Sequence, residues 1–389
     1  MKISMLGCPF KTSFGCYISC LRDAIEKKTA SPVQWVGSNC GCGDPVESGR
    51  EFQVLNCDYF DMPMPGEYRS SSAWKHWARG LARSAILYWR AGRYANLSRN
   101  AELVHFHQVL NAFGSKAVFQ WLRRPSTATR VVTVHELDAD QLECPASNRD
   151  YNRADAIIVH CDEMRQQLIK LGVREDKIHI VLHGTEIPAK YFAGERSGVV
   201  FYGGHKLMSR KGIETVFRAL AILEERRKSD ALSLKIHGHY GCATPGEAVH
   251  LSRQYGIADS ITWLNQLSQA DTVDLYQRSL ICVLPWAGSF AGYPASLAAA
   301  CRLPVIGTRK AGLPDHLGDS GIWIDVDNPE QLAERIHVLL GNPQMRREIA
   351  DRLLKRAQDL LQWDVIADRT LEVYQDAAAN RRGTLAVAS

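Results

Sequence analysis

The sequence contains no apolar run long enough to cross a bilayer, which takes about 20 consecutive apolar residues. Its first residues, MKISMLGCPFKTSFGC, also lack the continuous apolar stretch of a signal peptide. We therefore predict a cytoplasmic, globular protein. Its 389 residues, 46% of them hydrophobic, are enough for two or three domains with ample cores.

Cysteine is present, but not in the patterns that build disulfide frameworks or zinc sites. The chain has 11 cysteines, an odd number, mostly in apolar or helical contexts, which favours reduced thiols in a reducing compartment. Several lie near the N-terminus, including Cys40 and Cys42, but no pair of C-x-x-C motifs supplies the spacing of a zinc site. We expect no metal site.

The chain has a net charge of only +5 and no motif typical of DNA or RNA binding, so nucleic acid is not a predicted partner. Acidic residues are missing altogether from residues 68–100, where basic and aromatic residues are concentrated. If this stretch is helical, Trp74 and Trp77 share one face while Lys75 and Arg79 lie on the opposite face. The basic face is either an ordinary solvated surface or one attracted to a phosphorylated acceptor or to anionic lipid at the inner face of a membrane.

Short apolar strands alternate with amphipathic helices along the chain, which is typical of doubly wound parallel sheets. The alternation is clearest from Cys282 to Pro314, which reads as strand, small-residue loop, Ala-rich helix, strand and a second loop with glycine. Leu280 to Leu284 and Leu303 to Ile306 are apolar without alternation, as in strands buried on both faces. The loop at residues 288–292 either lets a phosphate or sugar approach backbone N–H groups or is simply a tightly packed turn.

This segment resembles the donor-binding segment of the family-4 glycosyltransferases, retaining enzymes of the GT-B fold, which reads P-S-x-x-E-G-F-G-L-P-x-L-E-A-M-A-x-G-x-P-V. The positions in register are Pro285, Gly292, Pro294, Ala298, Ala300, Pro304 and Val305. Ser289 stands at the glutamate that contacts the donor sugar in the family, and Leu297 at the glutamate that contacts the ribose. The resemblance implies that donor is bound by Ser289, Phe290, Ala291 and Gly292, mainly through backbone.

Other family motifs supply the remaining candidate residues. Arg130 to His135 resembles T-V-H-D, which implies that His135 lies at the donor sugar and acceptor hydroxyl, unless it is a structural histidine. Ser209 to Glu214 resembles the K-G signature, which implies that Lys211 binds the donor diphosphate. The resemblance also implies further donor contacts at Gly15, in a turn after the first strand, at Gly204, Lys206 and Arg210 before Lys211, and at Asn265 near the base.

The resemblance continues in order along most of the chain, and it implies an α/β protein with two Rossmann-like, doubly wound domains facing each other across a cleft. Residues 1–187 are the predicted acceptor-side domain, and residues 188–365 the predicted nucleotide-sugar-binding domain. Residues 366–389 are predicted to form a helix that returns to the first domain, followed by a frayed tail.

These motifs together predict a metal-independent, retaining glycosyltransferase that has no bound cofactor. The predicted reaction moves a sugar, best matched by glucose from UDP-glucose, to a glycan or lipid-linked acceptor in polysaccharide or envelope assembly. No Asp-x-Asp motif indicates a metal-held diphosphate. Because both family glutamates are replaced, two alternatives remain, a catalytically silent scaffold that binds nucleotide or glycan and a nucleotide-sugar epimerase of the same fold.

Overall fold

A computed structural model describes most of the chain and divides it into two compact units. Unit 1 consists of Met1–Val181 and Ile366–Ser389, and unit 2 of Leu182–Val365. The predicted boundary after residue 187 therefore falls inside unit 2. The described residues are 1–7, 13–38, 53–55, 96, 98–108, 121–135, 137, 149–203, 212–226, 233–238, 246–264, 267–288 and 292–388.

Both units are built on fully parallel sheets. The strands are β1 Ile3–Gly7, β2 Gln34–Ser38, β3 Gln53–Leu55, β4 Leu103–Gln108, β5 Thr129–Val134, β6 Ala156–Val159, β7 Ile178–Ile180, β8 Val199–Tyr202, β9 Leu234–His237, β10 Ile261–Trp263, β11 Ile281–Leu284, β12 Val305–Thr308 and β13 Ile322–Ile324. Unit 1 has the order β3-β2-β1-β4-β5-β6-β7 and unit 2 the order β10-β9-β8-β11-β12-β13. Each is the doubly wound Rossmann order, in which the strand sequence reverses direction next to the first strand.

Helices connect the strands, as parallel pairing requires. The described helices are α1 Ser13–Thr29, α2 Asp162–Lys170, α3 Ile213–Arg226, α4 Gly246–Gln254, α5 Gln269–Arg278, α6 Tyr293–Ala300, α7 Leu313–Leu317, α8 Pro329–Gly341, α9 Pro343–Arg356 and α10 Trp363–Ala388. Among the described residues, no helix combines the length and apolarity that crossing a membrane would require. The basic aromatic stretch at 68–100 lies almost entirely outside the described residues.

The two faces of the unit 1 sheet differ in character. Because strand side chains alternate, β4 directs Val104 and Phe106 to one face and His105 and His107 to the other. The first face belongs to an apolar core that includes buried side chains of α2. On the second face, His105 contacts Tyr374 of α10 edge to face, with ring centroids 5.4 Å apart. This face therefore carries a polar layer within the interior of unit 1.

The core of unit 2 surrounds α6, the Ala-rich helix. Every residue from Pro294 to Ala300 is buried, so this helix is covered on all sides rather than amphipathic. Alanine side chains allow neighbouring elements to approach the helix closely at no cost in side-chain entropy. Because α6 follows β11 in the chain, its start lies at the carboxyl edge of the sheet.

One strand of the predicted set begins later than its apolar pattern indicates. Residues 303 and 304 precede β12, because the chain first closes the end of α6. Arg302 has a positive φ of 55°, and the N–H of Leu303 donates to the carbonyl of Ala298 at 2.9 Å. This is the six-to-one bond of a Schellman helix end, with arginine in place of the usual glycine. Leu303 thus packs as part of the helix end and not as a strand residue.

Candidate functional site

The carboxyl edge of the unit 2 sheet brings two glycine-containing loops together. The strand order reverses between β8 and β11, which leaves a crevice position where ligands bind in doubly wound sheets. Gly212 ends the loop after β8 with φ +73°, a conformation that favours glycine. A Cβ at this position would overlap the carbonyl oxygen of Pro285 and lie 3.0 Å from its Cγ. The loops that follow β8 and β11 are therefore in backbone contact at the switch point.

Gly292 begins α6 in the same left-handed conformation, with φ 75°. A Cβ there would lie 2.6 Å from Nδ1 of His316, which is closer than real side-chain contacts allow. The carbonyl of Gly292 accepts hydrogen bonds from the N–H groups of Ala295 and Ser296, at 2.9 and 3.0 Å. Within the described part of the chain, no side chain caps this helix start. The N–H groups of the first turn therefore keep their capacity to bind an anion or sugar.

His316 fixes the position of Gly292 through a fully buried, neutral imidazole. It lies in α7, whose N-cap Gly312 also has a positive φ, 71°. His316 Nδ1 lies 2.8 Å from the carbonyl of Gly312, and Nε2 accepts from the backbone N–H of His183 at 3.1 Å. Since a carbonyl only accepts, the ring proton is on Nδ1. Burial lowers the pKa of His316 to about 4, so the ring stays neutral at physiological pH.

His183 belongs to the segment that enters unit 2 and links three of its elements. The carbonyl of His183 accepts a hydrogen bond from Ser296 Oγ of α6 at 2.9 Å. Gly184 packs against the ring of Trp363, and the N–H of Thr185 donates to the carbonyl of Leu361 at 2.7 Å. The starts of α6, α7 and α10 are in this way held by one short segment.

In unit 1, three histidines form a hydrogen-bonded row along the carboxyl ends of neighbouring strands. His107 lies on β4, His135 follows β5 and His160 follows β6, and each is no more than 1% exposed. His107 Nδ1 lies 3.4 Å from His135 Nε2, and His160 Nε2 lies 3.0 Å from His135 Nδ1. The far end of the row is anchored, because His160 Nδ1 lies 2.8 Å from the carbonyl of Val181. We call these three side chains the histidine row.

His105 makes further polar contacts on the same face of the sheet as the histidine row. His105 Nδ1 lies 2.6 Å from Tyr374 Oη, and its Nε2 lies 2.6 Å from Thr133 Oγ1. Burial lowers the pKa of His105 to about 3, with a smaller contribution from His135 and His160. Both ring nitrogens are satisfied within the protein. His105 is therefore a structural histidine of the polar layer.

The structure describes only some of the predicted site residues. His135 is buried, with both ring nitrogens facing other histidines, and Gly292 starts α6. Gly15 lies in the first turn of α1, since that helix begins at Ser13, and not in the turn before it as expected. The predicted residues outside the described part of the chain are Gly204, Lys206, Arg210, Lys211, Asn265, Ser289, Phe290 and Ala291.

Several residues of these edges do not follow from the motif comparison. Gly212 is the glycine of the K-G signature, but the motif comparison named only Lys211 of that pair as a site residue. The H-x-H alternation of β4 places His105 and His107 on one face, but nothing in the sequence pairs His107 with His135. Leu297, which the motif comparison predicts to replace a family glutamate, is 3% exposed and belongs to the apolar core.

No group of three or more His, Cys, Asp or Glu side chains is arranged to hold a metal ion within the described residues. One Asp-x-Asp triplet, at 325–327, is engaged locally. Asp325 accepts from Gln331 Nε2 at 2.8 Å, and Asp327 accepts from Thr215 Oγ1 at 2.9 Å. These carboxylates are thus used to fix loops. The other such triplet, at 138–140, and most of the N-terminal cysteines lie outside the described residues.

Two family models match adjoining parts of the chain. The model described as glycosyl transferases group 1 matches residues 185–356, and the model described as glycosyltransferase family 4 matches residues 48–187. A curated relative, the D-inositol 3-phosphate glycosyltransferase of Nocardiopsis dassonvillei, is 26% identical over 73% of this chain and 72% of its own.

Solved structures of similar proteins share the fold over nearly the whole chain. The sucrose-phosphate synthase of Thermosynechococcus elongatus matches 98% of this chain and 100% of its own, with a TM-score of 0.77 and 17% identity. Anabaena HepE, solved with UDP and glucose, matches 96% of this chain and 99% of its own, with a TM-score of 0.69 and 16% identity. The two Rossmann-like units, the structural likeness and the two adjoining family matches agree, and the chain belongs to the family-4, group 1 glycosyltransferases of the GT-B fold.

Proposed function

We propose that the protein transfers glucose from UDP-glucose, with retention of the anomeric configuration, to a glycan or lipid-linked acceptor. The observation that carries the proposal is the backbone contact between Gly212 and Pro285 at the switch point of unit 2. Gly212 and Pro285 meet there without an intervening side chain, and the start of α3 beside Gly212 offers backbone N–H groups to a diphosphate. No metal ion or bound cofactor is part of the proposed reaction.

The proposed donor site extends from these loops to their sequence neighbours. Lys211 precedes Gly212, and a lysine beside this loop would neutralise the diphosphate as the sugar leaves. Gly204, Lys206 and Arg210 would contribute from the same loop, Asn265 from the strand end nearest the base, and Gly15 from the first turn of α1. The loop at residues 289–292 would contact the phosphate or sugar mainly through its backbone. In unit 1, His135 would act on the sugar side as a member of the histidine row.

UDP-glucose is supported as donor by HepE, whose structure holds UDP and glucose. The acceptor is proposed to be a sugar-bearing molecule of polysaccharide or envelope assembly, because a structural relative, WaaG, is described as acting in lipopolysaccharide biosynthesis. The curated relatives named for inositol 3-phosphate make that compound a second acceptor to test. Retention is proposed from the family resemblance.

A catalytically silent scaffold is the second candidate, and Leu297 favours it. The family's ribose-contacting glutamate corresponds to this leucine, whose side chain lies in the core of unit 2 and offers no hydrogen bond to a ribose. A scaffold would keep the nucleotide-binding loops and lose turnover.

A screen of nucleotide sugars, with release of free nucleotide as the readout, separates the candidates. The proposal predicts that UDP-glucose is consumed with release of UDP, faster when a glycan acceptor or inositol 3-phosphate is present. The product's anomeric configuration, read by NMR, should match the donor's. Binding of UDP without turnover of any donor would instead establish the scaffold, and inversion at C2 of the sugar would establish an epimerase.

A further inference from the structure

We propose that Nε2 of His107 accepts a hydrogen bond from a hydroxyl group of a bound sugar, and that His135 and His160 are positioning residues that hold His107 in the required tautomer. This inference rests on the proposed function, since it names the atom of unit 1 that meets the sugar. It shifts the sugar contact from His135 to its neighbour on β4.

The row has a direction that can be read from its anchored end. The carbonyl of Val181 can only accept, so His160 carries its proton on Nδ1 and leaves Nε2 as an acceptor. His135 must then donate from Nδ1 to His160, which leaves His135 Nε2 as an acceptor. His107 in turn donates from Nδ1 to His135. If all three rings are neutral, as their complete burial favours, they point the same way, each with its proton on Nδ1.

With the protons on Nδ1, the lone pair that no ring of the row uses is on Nε2 of His107. Nε2 of His107 is buried and has no hydrogen-bond partner among the described residues. A buried acceptor left unpaired costs about 1–3 kcal/mol, and folded proteins pair nearly all such groups. His135 has no such atom, because both of its nitrogens face ring nitrogens of the row. His107 is thus the member of the row with capacity for a ligand.

The position of His107 in the sheet points to the same atom. The strand order of unit 1 reverses between β1 and β4, and ligands of doubly wound sheets bind at the carboxyl ends of the strands at this point. His107 lies at that end of β4, beside Gly7, the last residue of β1. A Cβ at Gly7 would lie 3.1 Å from Cβ of His107 and would overlap Ile18. His135 and His160 lie one and two strands farther from the switch point.

The surroundings of His107 keep it an acceptor. Burial holds its pKa well below the usual value, and His105 and His160 lower it further. The ring of His105 lies 4.0 Å from that of His107, and Tyr17 of α1 meets His107 edge to face at 5.8 Å. The causes that shift its pKa are thus burial and neighbouring histidines, and no carboxylate of the described residues raises it. A neutral acceptor suits a sugar hydroxyl, which is a neutral donor.

Tautomers can be measured directly by 15N NMR of histidine rings in the full-length protein, with signals assigned from single His→Gln variants. The inference predicts that His107, His135 and His160 all carry their protons on Nδ1. UDP-glucose should then shift the Nε2 signal of His107 and leave that of His135 nearly unchanged, whereas UDP alone should shift neither. If glucose must be added beside UDP to produce the shift, the hydroxyl belongs to the acceptor sugar.

Three variants test the roles of the row independently. His107→Phe fills the volume but removes Nε2, and we expect UDP affinity to stay unchanged while donor hydrolysis falls about tenfold, as the loss of one hydrogen bond predicts. His107→Gln retains an acceptor and should recover part of the activity, and it also serves if the phenylalanine variant does not fold. His160→Phe removes the acceptor that fixes the proton positions of the row. The tautomer of His107 should then no longer be fixed, and part of the protein should carry the His107 proton on Nε2.

The inference is overturned if His107 carries its proton on Nε2, or if His135 is the ring that responds to sugar. It is also overturned if UDP binds by calorimetry but neither UDP-glucose nor UDP with glucose moves the His107 signal, an outcome that leaves the proposed function intact. Failure to bind UDP at all overturns the proposed function, and this inference with it. An unchanged His107 tautomer in His160→Phe removes the positioning role.

Discussion

The backbone N–H of His183, at the entrance of unit 2, donates a hydrogen bond to Nε2 of His316, 133 residues later in the chain. The same imidazole lies against Gly292, the N-cap of the helix that follows the candidate donor loop. One buried side chain therefore connects the start of unit 2 with both glycine-capped helices of the sheet edge. This connection makes His316 a positioning residue for Gly292 at the end of the candidate donor loop.

Replacing His316 with leucine should destabilise unit 2 strongly. His316→Leu leaves the N–H of His183 and the carbonyl of Gly312 without their buried partners. At about 1–3 kcal/mol for each unsatisfied group, we expect a loss of about 3 kcal/mol in the free energy of unfolding, measured by urea denaturation. The matched control is His337→Leu, since His337 is an exposed histidine of α8. Equal losses in the two variants would show that these hydrogen bonds contribute little.

Acidification should destabilise both units through their buried histidines. His316 and His105 have folded-state pKa values lowered by burial to about 4 and about 3, whereas an unfolded histidine titrates near 6.5. The unfolded chain therefore binds more protons below about pH 6.5, and stability is lost as the pH falls toward the folded pKa. At pH 5 each of the two should cost about 2 kcal/mol relative to pH 7.5.

Urea unfolding at several pH values checks this prediction, and His316→Gln provides the comparison. Removing the titrating ring should flatten the pH dependence of the unfolding transition of unit 2 between pH 7.5 and pH 5. A variant whose stability falls with pH as steeply as that of the wild type would place the acid sensitivity in other groups.

The donor loop should be sensitive to backbone bulk and tolerant of side-chain loss. Gly292→Val adds a branched side chain at a left-handed position against His316, and we expect UDP-glucose affinity to fall about tenfold or more. Ser289→Ala should be mild, because backbone N–H groups rather than the hydroxyl are proposed to contact the donor.

Gly341→Val is the control for the glycine change, since a Cβ at Gly341 meets no other atom within 4 Å. Isothermal titration with UDP-glucose measures all three variants. Loss of affinity in Ser289→Ala with none in Gly292→Val would show that a side chain, not the backbone, recognises the donor.

Lys211→Ala should weaken the binding of UDP by about tenfold or more. A charge-assisted hydrogen bond to phosphate contributes about 1.5–3 kcal/mol, and every 1.4 kcal/mol is a factor of about ten in affinity. Lys190→Ala, at an exposed lysine of unit 2, removes the same charge from elsewhere on the unit. Calorimetric titration with UDP compares them, and equal affinities in two folded variants would exclude Lys211 from the diphosphate site.

The sequence predicts most of the fold because its strands are short apolar runs separated by glycine, proline and amphipathic stretches. The observed β11, Ile281–Leu284, begins one residue after the predicted strand and ends at the same residue. Leu303 was assigned wrongly because an apolar residue that closes a helix end looks the same as the first residue of a strand. Arg302 did not indicate a helix end, since the residue expected at that left-handed position is glycine.

The candidate site could be predicted only where a motif is local. Gly292 and His135 are visible because each stands at a strand end or helix start within a recognisable segment. The histidine row depends instead on the register of neighbouring strands, in which His107 pairs with Thr133 and so lies near His135. The contact of His183 with His316 depends on tertiary packing across unit 2, for which no local pattern exists.

If the touching loops after β8 and β11 hold the donor diphosphate, Gly212→Ala should weaken the binding of UDP. The added methyl group would overlap the carbonyl oxygen of Pro285 and separate the loops. Titration calorimetry with UDP should show binding by the wild-type protein and by Gly341→Ala, and affinity lower by about tenfold or more in Gly212→Ala. A wild-type protein that does not bind UDP, or a folded Gly212→Ala variant that binds it equally well, would contradict the account.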